Sequence, residues 1–515
     1  MDRPQGRLVA LKAAALIATS TYVTTAFGLI VSVIIARSLG PKDYGQYAYL
    51  LWMSGLLVVF GNHGLGISGI RFVSESLGRG NPDEARNIHG WLRRQQWISI
   101  MVVLVCFSGS VLAFHPAGWQ EHLALLIGVC IVSAIGKAIF LFDISIAKGY
   151  SRFSVEAVTN MVMSLLYTTG VALLGLLHAS LTVFALFFAL ISAGHVVMVS
   201  RLLRKEGIAP GHGVCEPQVL ARLKPHLLWT IVLVLVATLS NKTIETFLLS
   251  TLIGPAAVGF FSIATALTRG GIDLLSSTLT TMLMPMMGHA YGAGGMRKVN
   301  DILSDAVRYF LFVGLIVAGL GVLWAELGVS VMYGSRYEPV INVLRVMMLV
   351  GGLTLAESAF GALLSTTDHQ KLRAGVSMLS VVVSAIASLI LVPLYGLSGA
   401  VLAHAVTRIL VLIIMGGGLI RMLHITLPTR ELMRLMAAAA CATLAIAPLL
   451  WISMSAWMQF FAGALYVFAF IAATVALRAW QAKDAQLILT LLERKPQYFG
   501  RITPWLTRWT SSLPQ

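Results

Sequence analysis

Apolar runs long enough to cross a lipid bilayer recur from one end of the chain to the other, and no other feature constrains its fold so tightly. A hydrocarbon core takes about 20 apolar residues in a helix. By that length criterion the chain offers about fourteen spans. The first six are Leu11–Ala36, Tyr44–Phe72, Gln96–Phe114, His122–Ala147, Ser154–Leu177 and Leu181–Leu203. After a polar stretch follow His226–Ile253, Val258–Met287, Ala306–Met332, Val340–Thr366, Gly375–Leu394 and Leu397–Met422. Leu432–Ile452 and Trp457–Leu477 complete the set. A water-soluble chain of this length would fold as several domains with about 25% charged residues. Here 57% of residues are hydrophobic and only 11% charged, too few to cover a soluble particle. The expected class is therefore an all-α integral membrane protein.

The basic residues orient it. Loops on one side hold Arg79, Arg86, Arg93 and Arg94, then Lys148 and Arg152, then Arg201, Arg204, Lys205, Arg222 and Lys224. The same side takes Arg297, Lys298, Lys371, Arg373, Arg421, Arg430, Arg434 and the basic tail. The opposite loops hold Arg37, Lys42 and Arg336. The positive-inside rule puts the basic side, with both termini, in the cytoplasm. The first run is too long for a secretory h-region and ends at Arg37 rather than at small residues, so it reads as a span. Lys and Arg outnumber Asp and Glu by 37 to 21, a net charge of +16. Such an excess in short loops suits anionic phospholipids or an anionic substrate better than nucleic acid. Cys106, Cys130, Cys215 and Cys441 have neither disulfide nor metal-ligand spacing.

Two stretches lie outside the spans. Residues 204–225 are polar, basic and Gly/Pro-containing, and divide the chain into a first lobe at 1–203 and a second at 226–422. Residues 423–480 add the last two spans, and the tail 481–515 mixes Arg494, Lys495, Trp505, Arg508 and Trp509 as an interfacial segment would.

The halves share a motif. Gly40, Pro41, Gly45 and Tyr47 recur as Gly254, Pro255, Gly259 and Phe261 at one constant offset, each set between the first and second span of its half. Ala147–Phe153 likewise matches Thr366–Leu372 between the fourth and fifth spans. Taken singly, Gly-Pro-x-x-x-Gly is a helix stop and a tight turn; its recurrence implies two six-helix repeats in one orientation.

These residues carry a resemblance. Ala36-Arg37-Ser38-Leu39-Gly40-Pro41-Lys42-Asp43-Tyr44-Gly45-Gln46-Tyr47, followed by Gly61-Asn62-His63-Gly64-Leu65 and Arg71-Phe72-Val73, resembles the opening of the polysaccharide transporters. These are the Wzx-type flippases of the multidrug/oligosaccharidyl-lipid/polysaccharide exporter superfamily. Ile253–Gly259 and Pro393–Ala400 fit the same pattern, so the likeness covers spans one to twelve. It implies two six-helix lobes of MATE type with two extra helices. It also implies flipping of an undecaprenyl-pyrophosphate-linked oligosaccharide by alternating access in a bacterial inner membrane, for O-antigen or exopolysaccharide assembly. A polysaccharide polymerase and chain-length machinery are the implied partners. The chain lacks the first-span arginine of the lipid II flippases and the first-span acid of many drug exporters.

Ionisable side chains inside a bilayer are costly and mark function or pairing. Those near span ends, Arg71, Arg308 and Arg345, are expected to snorkel. The central ones are Lys137, Asp143, Lys242, Glu245, Arg269, Asp273, Glu357 and Arg408. Lys242/Glu245 and Arg269/Asp273 are spaced to share a helix face and to pair. Lys137 and Arg408 have no acid within four positions. Lys137, Lys242, Arg269 and Arg408 are therefore the candidate cations for a pyrophosphate-binding cavity. Glu245, Asp273 and Glu357 are candidates for Na+ or H+ coupling. No Walker A sequence or Ser/His/Asp arrangement is present, so no cofactor and no catalysis are expected. The rivals are a cation-coupled multidrug exporter of the same fold and a lipid II flippase.

Overall fold

The computed structural model describes residues 4–114, 123–240, 242–367, 369–450, 456–481 and 483–484; nearly all of the basic tail lies outside them. Every regular element among the described residues is helical. Eleven helices are long and apolar enough to cross a membrane. Three of these are two helices joined at a glycine kink: at Gly40, at Gly294–Gly295 and at Gly396. Splitting them gives the fourteen spans read from the sequence.

In chain order the helices are α1 (Pro4–Asn62), α2 (Leu65–Gly78), α3 (Pro82–Phe114), α4 (Leu123–Gly149), α5 (Ser154–Leu176) and α6 (Leu181–Lys205). Then come α7 (Pro217–Leu239), α8 (Thr243–Leu248), α9 (Pro255–Thr268), α10 (Leu274–Met332), α11 (Pro339–Leu353), α12 (Glu357–Thr366), α13 (Gln370–Leu423), α14 (Thr429–Leu450) and α15 (Ala456–Ala476). Two π turns interrupt the series, Leu249–Ile253 before α9 and Arg269–Asp273 after it. Such turns in helices often mark functional positions.

The third span begins earlier than hydropathy suggested. Asn81 accepts a hydrogen bond from the Glu84 amide at 3.1 Å, and Pro82, Asp83 and Glu84 fill the first turn. Proline at the first helical position and acids at a helix N-terminus are both favourable. The helix therefore runs through Arg86, Arg93 and Arg94, expected in a loop, and Arg93 is drawn inward to pair with the buried Asp143.

The chain forms two compact units. The first comprises Met1–Gly270, Met332–Val340 and Ser377–His404; the second Gly271–Val331, Ile341–Val376 and Ala405–Gln515. In the first unit a buried cluster joins α2–α7 through Phe72, Leu92, Phe142, Ile146, Val199 and Leu223. The connector after α6 closes onto this cluster. Gly211 N–H donates to the Arg86 carbonyl at 2.7 Å and Gly213 N–H to Asn87 Oδ1 at 3.1 Å. Ile208 and Cys215 are buried there, so part of the stretch expected as a polar divider is packed structure.

The repeated Gly-Pro turns meet within the first unit. Gly40 (φ 77°) and Gly254 (φ 120°) take positive backbone angles that glycine permits. Pro41 and Pro255 then begin the next helices. A Cβ on Gly45 would fall 1.8 Å from the Pro255 carbonyl oxygen. One on Gly259 would fall 3.1 Å from the Pro41 carbonyl oxygen. The correspondence is reciprocal, as a repeat related by approximate two-fold symmetry requires.

In the second unit α14 and α15 pack on the later half of α10. Tyr466 donates to the Leu315 carbonyl at 3.1 Å and Trp324 to the Gln459 carbonyl at 3.1 Å. Arg308 does not snorkel as expected. It is 1% exposed and bridges Asp484 at 2.8 Å and Asp305 at 3.1 Å. Arg345 faces Glu326 at 3.3 Å, and in the first unit Arg71 bonds His226 at 2.9 Å. Each guanidinium expected at a span end has thus found a protein partner.

Candidate functional site

A cleft with both polar and apolar walls opens in the first unit where α1, α5 and α9 meet. Its volume is about 370 Å³, and its walls are Thr21, Thr24, Thr25, Gly28, Leu29, Asn160, Ala266 and Arg269. Arg269 is exposed at the start of the π turn, where the last residues of α9 carry it to the cleft wall. Among the described residues it has no ion-paired or hydrogen-bonded partner. Among the described residues no carboxylate lines the cleft. Thr25 returns its hydroxyl to the Thr21 carbonyl at 2.9 Å, whereas Thr24 Oγ1 is buried with no partner among the described residues. A guanidinium, hydroxyls and a carboxamide facing one space can donate hydrogen bonds to phosphate oxygens or sugar hydroxyls. The volume falls in the ordinary range for ligand pockets, about 300–1,000 Å³.

Glu245 lies elsewhere in the same unit. The break between α7 and α8 is marked by Lys242, held in the left-handed region at φ 62°. Lys242 stands directly before the first turn of α8, three residues ahead of Glu245, and its charge acts on that carboxylate. Glu245 is 1% exposed. One of its oxygens accepts from the Ser384 hydroxyl at 2.9 Å, and Oε2 has no hydrogen-bond partner among the described residues. A buried carboxylate oxygen left open in this way calls for an explanation.

Lys137 and Arg408 do have partners, at separations no local pattern reveals. Lys137 Nζ lies 3.1 Å from His195 Nε2. In the second unit Arg408 Nη2 lies 3.2 Å from Glu357 Oε2 and 3.4 Å from the Thr354 hydroxyl. Arg408 is thus ion-paired with Glu357, whereas Lys137 has a histidine and, among the described residues, no carboxylate beside it. Asp273 ends the π turn and is exposed.

A further polar set in the first unit was not foreseen as a group. Gln96 donates to Asn62 Oδ1 at 2.8 Å and to the Ala138 carbonyl at 2.9 Å, and Asn62 donates to that carbonyl at 3.0 Å. Arg93 bonds Gln96 at 2.7 Å, pairs with Asp143 and lies 4.5 Å over the Phe142 ring. Every polar member is bonded, so the set ties α1, α3 and α4 together and leaves nothing open for a ligand. Of the cleft residues, the sequence reading found Arg269 and missed Thr21, Thr24, Thr25 and Asn160. The signal was present: Thr19, Ser20, Thr21, Thr24 and Thr25 crowd hydroxyls into an otherwise apolar run.

Comparison with known proteins bears on both fold and family. The fold matches a lipid II flippase, MurJ, in an inward closed conformation, with TM-score 0.70 at 13% identity, covering 90% of this chain and 98% of that one. It matches an inward-facing MATE-family multidrug resistance transporter of the MOP superfamily, with TM-score 0.57 at 15% identity over 76% and 92% of the two chains. A Vibrio cholerae MATE transporter, VcmN, gives 0.53 at 15% identity over 80% and 98%. No curated protein matches the chain by sequence. The sequence family described as polysaccharide biosynthesis protein matches residues 10–290. That match takes in the Gly-Pro turns, the cleft and Glu245, and covers more than half the chain: the chain belongs to the polysaccharide biosynthesis protein family, with the fold of the MOP-superfamily transporters.

Proposed function

We propose that the protein flips an undecaprenyl-pyrophosphate-linked oligosaccharide from the cytoplasmic to the periplasmic leaflet of a bacterial inner membrane, during O-antigen or exopolysaccharide assembly. The single observation that carries the reading is Arg269. It is an exposed guanidinium in a cleft whose other polar walls are hydroxyls and an amide. A diphosphate bearing a sugar presents the matching chemistry, anionic oxygens beside hydroxyl groups. A drug exporter moving cations would be poorly served by the same residue. Of the four candidate cations, Lys137, Lys242 and Arg408 interact within the protein, and only Arg269 lines the cleft, so Arg269 is the one we assign to substrate. Alternating access of the two repeats would carry the glycan while the prenyl chain stays in lipid.

Arg269→Ala should leave protein abundance unchanged, lose surface glycan and accumulate lipid-linked repeat units. A charge-assisted hydrogen bond is worth about 1.5–3 kcal/mol, so transport should fall roughly tenfold to a hundredfold. Arg269→Lys should keep part of the activity, since a point charge still attracts phosphate when the planar fork is lost. Normal export by a well-expressed Arg269→Ala variant removes the assignment.

Glu245 is the best-supported of the acids for cation coupling, because it offers an open buried carboxylate oxygen beside the Ser384 hydroxyl. Glu245→Gln should insert normally and make transport indifferent to the coupling-ion gradient. Undiminished gradient dependence in that variant returns Glu245 to a structural role.

A further inference from the structure

We infer that Lys137 and His195 form a proton-binding site in the first unit, one exchangeable proton held between two bases on α4 and α6. The geometry begins one residue earlier. Gly136 has no side chain, and a Cβ there would stand 2.5 Å from the Ser192 carbonyl oxygen. The two helices therefore touch along this line, and one turn on His195 faces Lys137. His195 Nδ1 lies 2.8 Å from the Ile191 carbonyl oxygen. A carbonyl can only accept, so Nδ1 carries the hydrogen and Nε2 of the neutral ring presents its lone pair. The 3.1 Å contact to Lys137 Nζ is then an ammonium donating to an imidazole.

Two bases joined this way hold the extra proton in one state and are neutral in the other. After release the Lys137 amine can still donate to Nε2, so the contact survives while the charge changes. His195 is 6% exposed, and the Phe140 ring lies 4.8 Å from its ring and 5.7 Å from Lys137 Nζ. Lys137 is less deeply buried than His195.

Several charged and titratable groups on the surrounding helices have partners of their own, while Arg201, Arg204 and Lys205 of α6 lie toward its C-terminal end. On α4, Asp143 pairs with Arg93 of α3 and Lys148 with Glu156 of α5. On α1, Tyr47 bonds Tyr167 of α5, and His63 beyond its end bonds the Phe60 carbonyl. Arg71 of α2 turns to His226, and Glu75 of α2 to Arg79 and Arg222. Among the described residues no carboxylate lies within ion-pair distance of Lys137. An uncompensated ammonium in a membrane is costly, and release of its proton removes that cost. In one turn of the cycle an N–H bond forms at Lys137 Nζ from water on one side of the membrane. The same bond breaks to water on the other side, with no change of oxidation state.

The proposal rests on the transport reading only for the work the proton does, so binding and work are measured separately. Full-length protein in lipid nanodiscs, labelled with nitrogen-15 histidine, is titrated from about pH 6 to about pH 11, spanning the ordinary imidazole and ammonium ranges. The His195 resonances are assigned by their loss in His195→Asn. Nε2 should shift in one step while Nδ1 stays protonated, and the step should vanish in Lys137→Met. A flat His195 signal, or the same step in Lys137→Met, overturns the site. For the work, proteoliposomes are given a prenyl-pyrophosphate-linked disaccharide as probe and an imposed pH gradient. Wild-type transport should accelerate with the gradient, and Lys137→Met should lose that response. So should His195→Asn, which keeps an acceptor for Lys137 but removes the second base, its abundance in the membrane being checked beside that of Lys137→Met. A retained response in His195→Asn overturns the coupling. If the wild type titrates but moves no probe, the transport reading fails and the proton site stands.

Discussion

Arg408 and Glu357 illustrate what a single residue contributes once its partner is known. Arg408 is 40% exposed and Glu357 19%, so their pair lies between a surface bridge, worth about 0–1 kcal/mol, and a buried one, whose breaking costs about 3–5 kcal/mol. Arg408→Ala should destabilise by about 1–3 kcal/mol on that scale, and the Arg408→Gln, Glu357→Gln double variant should recover much of the loss in thermal unfolding. Equal loss in the single and double variants would mean that the two side chains are not coupled. Cys215 gives a second test. Its thiol is 3% exposed, and burial, with the Glu84 charge adding, pushes its pKa up to about 11. Maleimide labelling should be slow near neutrality and quicken as pH rises toward that value, since the thiolate is the nucleophile. Fast labelling near neutrality would show the connector after α6 detached from α3. The sequence displayed each central charge but not its partner. Lys137 and His195 are 58 positions apart, and pairing across helices leaves no trace in local spacing. The cleft was half legible: its arginine stands out in an apolar run, while its threonines pass as ordinary span residues.

Elements were legible where hydropathy and turn chemistry agree and were misjudged where a helix leaves the apolar run. The spans and both Gly-Pro turns follow directly from composition and from the stop that proline imposes. The start of α3 did not, because Asn81, Pro82, Asp83 and Glu84 are a capping signal in a segment set aside as a loop for its charge. The early start lets Arg93 reach Asp143. The turns themselves carry more than a stop signal. Because Gly45 meets a backbone carbonyl that cannot rotate away, a methyl group there must separate α1 from α9. Gly45→Ala should cost about 1–3 kcal/mol or more, the range for overpacking. Gly55→Ala, with nothing within 4 Å of its Cβ, should be neutral or stabilising. Thermal unfolding of the two variants side by side checks this, and equal behaviour would mean that the reciprocal contact contributes nothing.

At the scale of the whole chain, the count of spans and the asymmetry of its basic loops were the most legible features, because both sum over many residues and tolerate local error. Three of the helices run through glycine kinks, so the fourteen spans emerge only when Gly40, Gly294–Gly295 and Gly396 are treated as turns between helices. The expected orientation rests on the same sum. Lys205 ends α6 on the basic side and is exposed, as is Asp83 at the start of α3. Ser180, between α5 and α6, and Ser335, between α10 and α11, are exposed at the opposite ends of their helices. In intact cells with a permeable outer membrane, Ser180→Cys and Ser335→Cys should react with a membrane-impermeant maleimide. Asp83→Cys and Lys205→Cys should react only after the inner membrane is opened. All four substitutions fall on exposed positions, and a background without Cys106, Cys130, Cys215 and Cys441 makes each signal unambiguous. The inverse pattern would put the basic loops outside and reverse the direction of transport assigned to the cleft. A mixed pattern, with Ser180 and Ser335 on different sides, would break the two-repeat arrangement itself, since both residues follow an odd-numbered span.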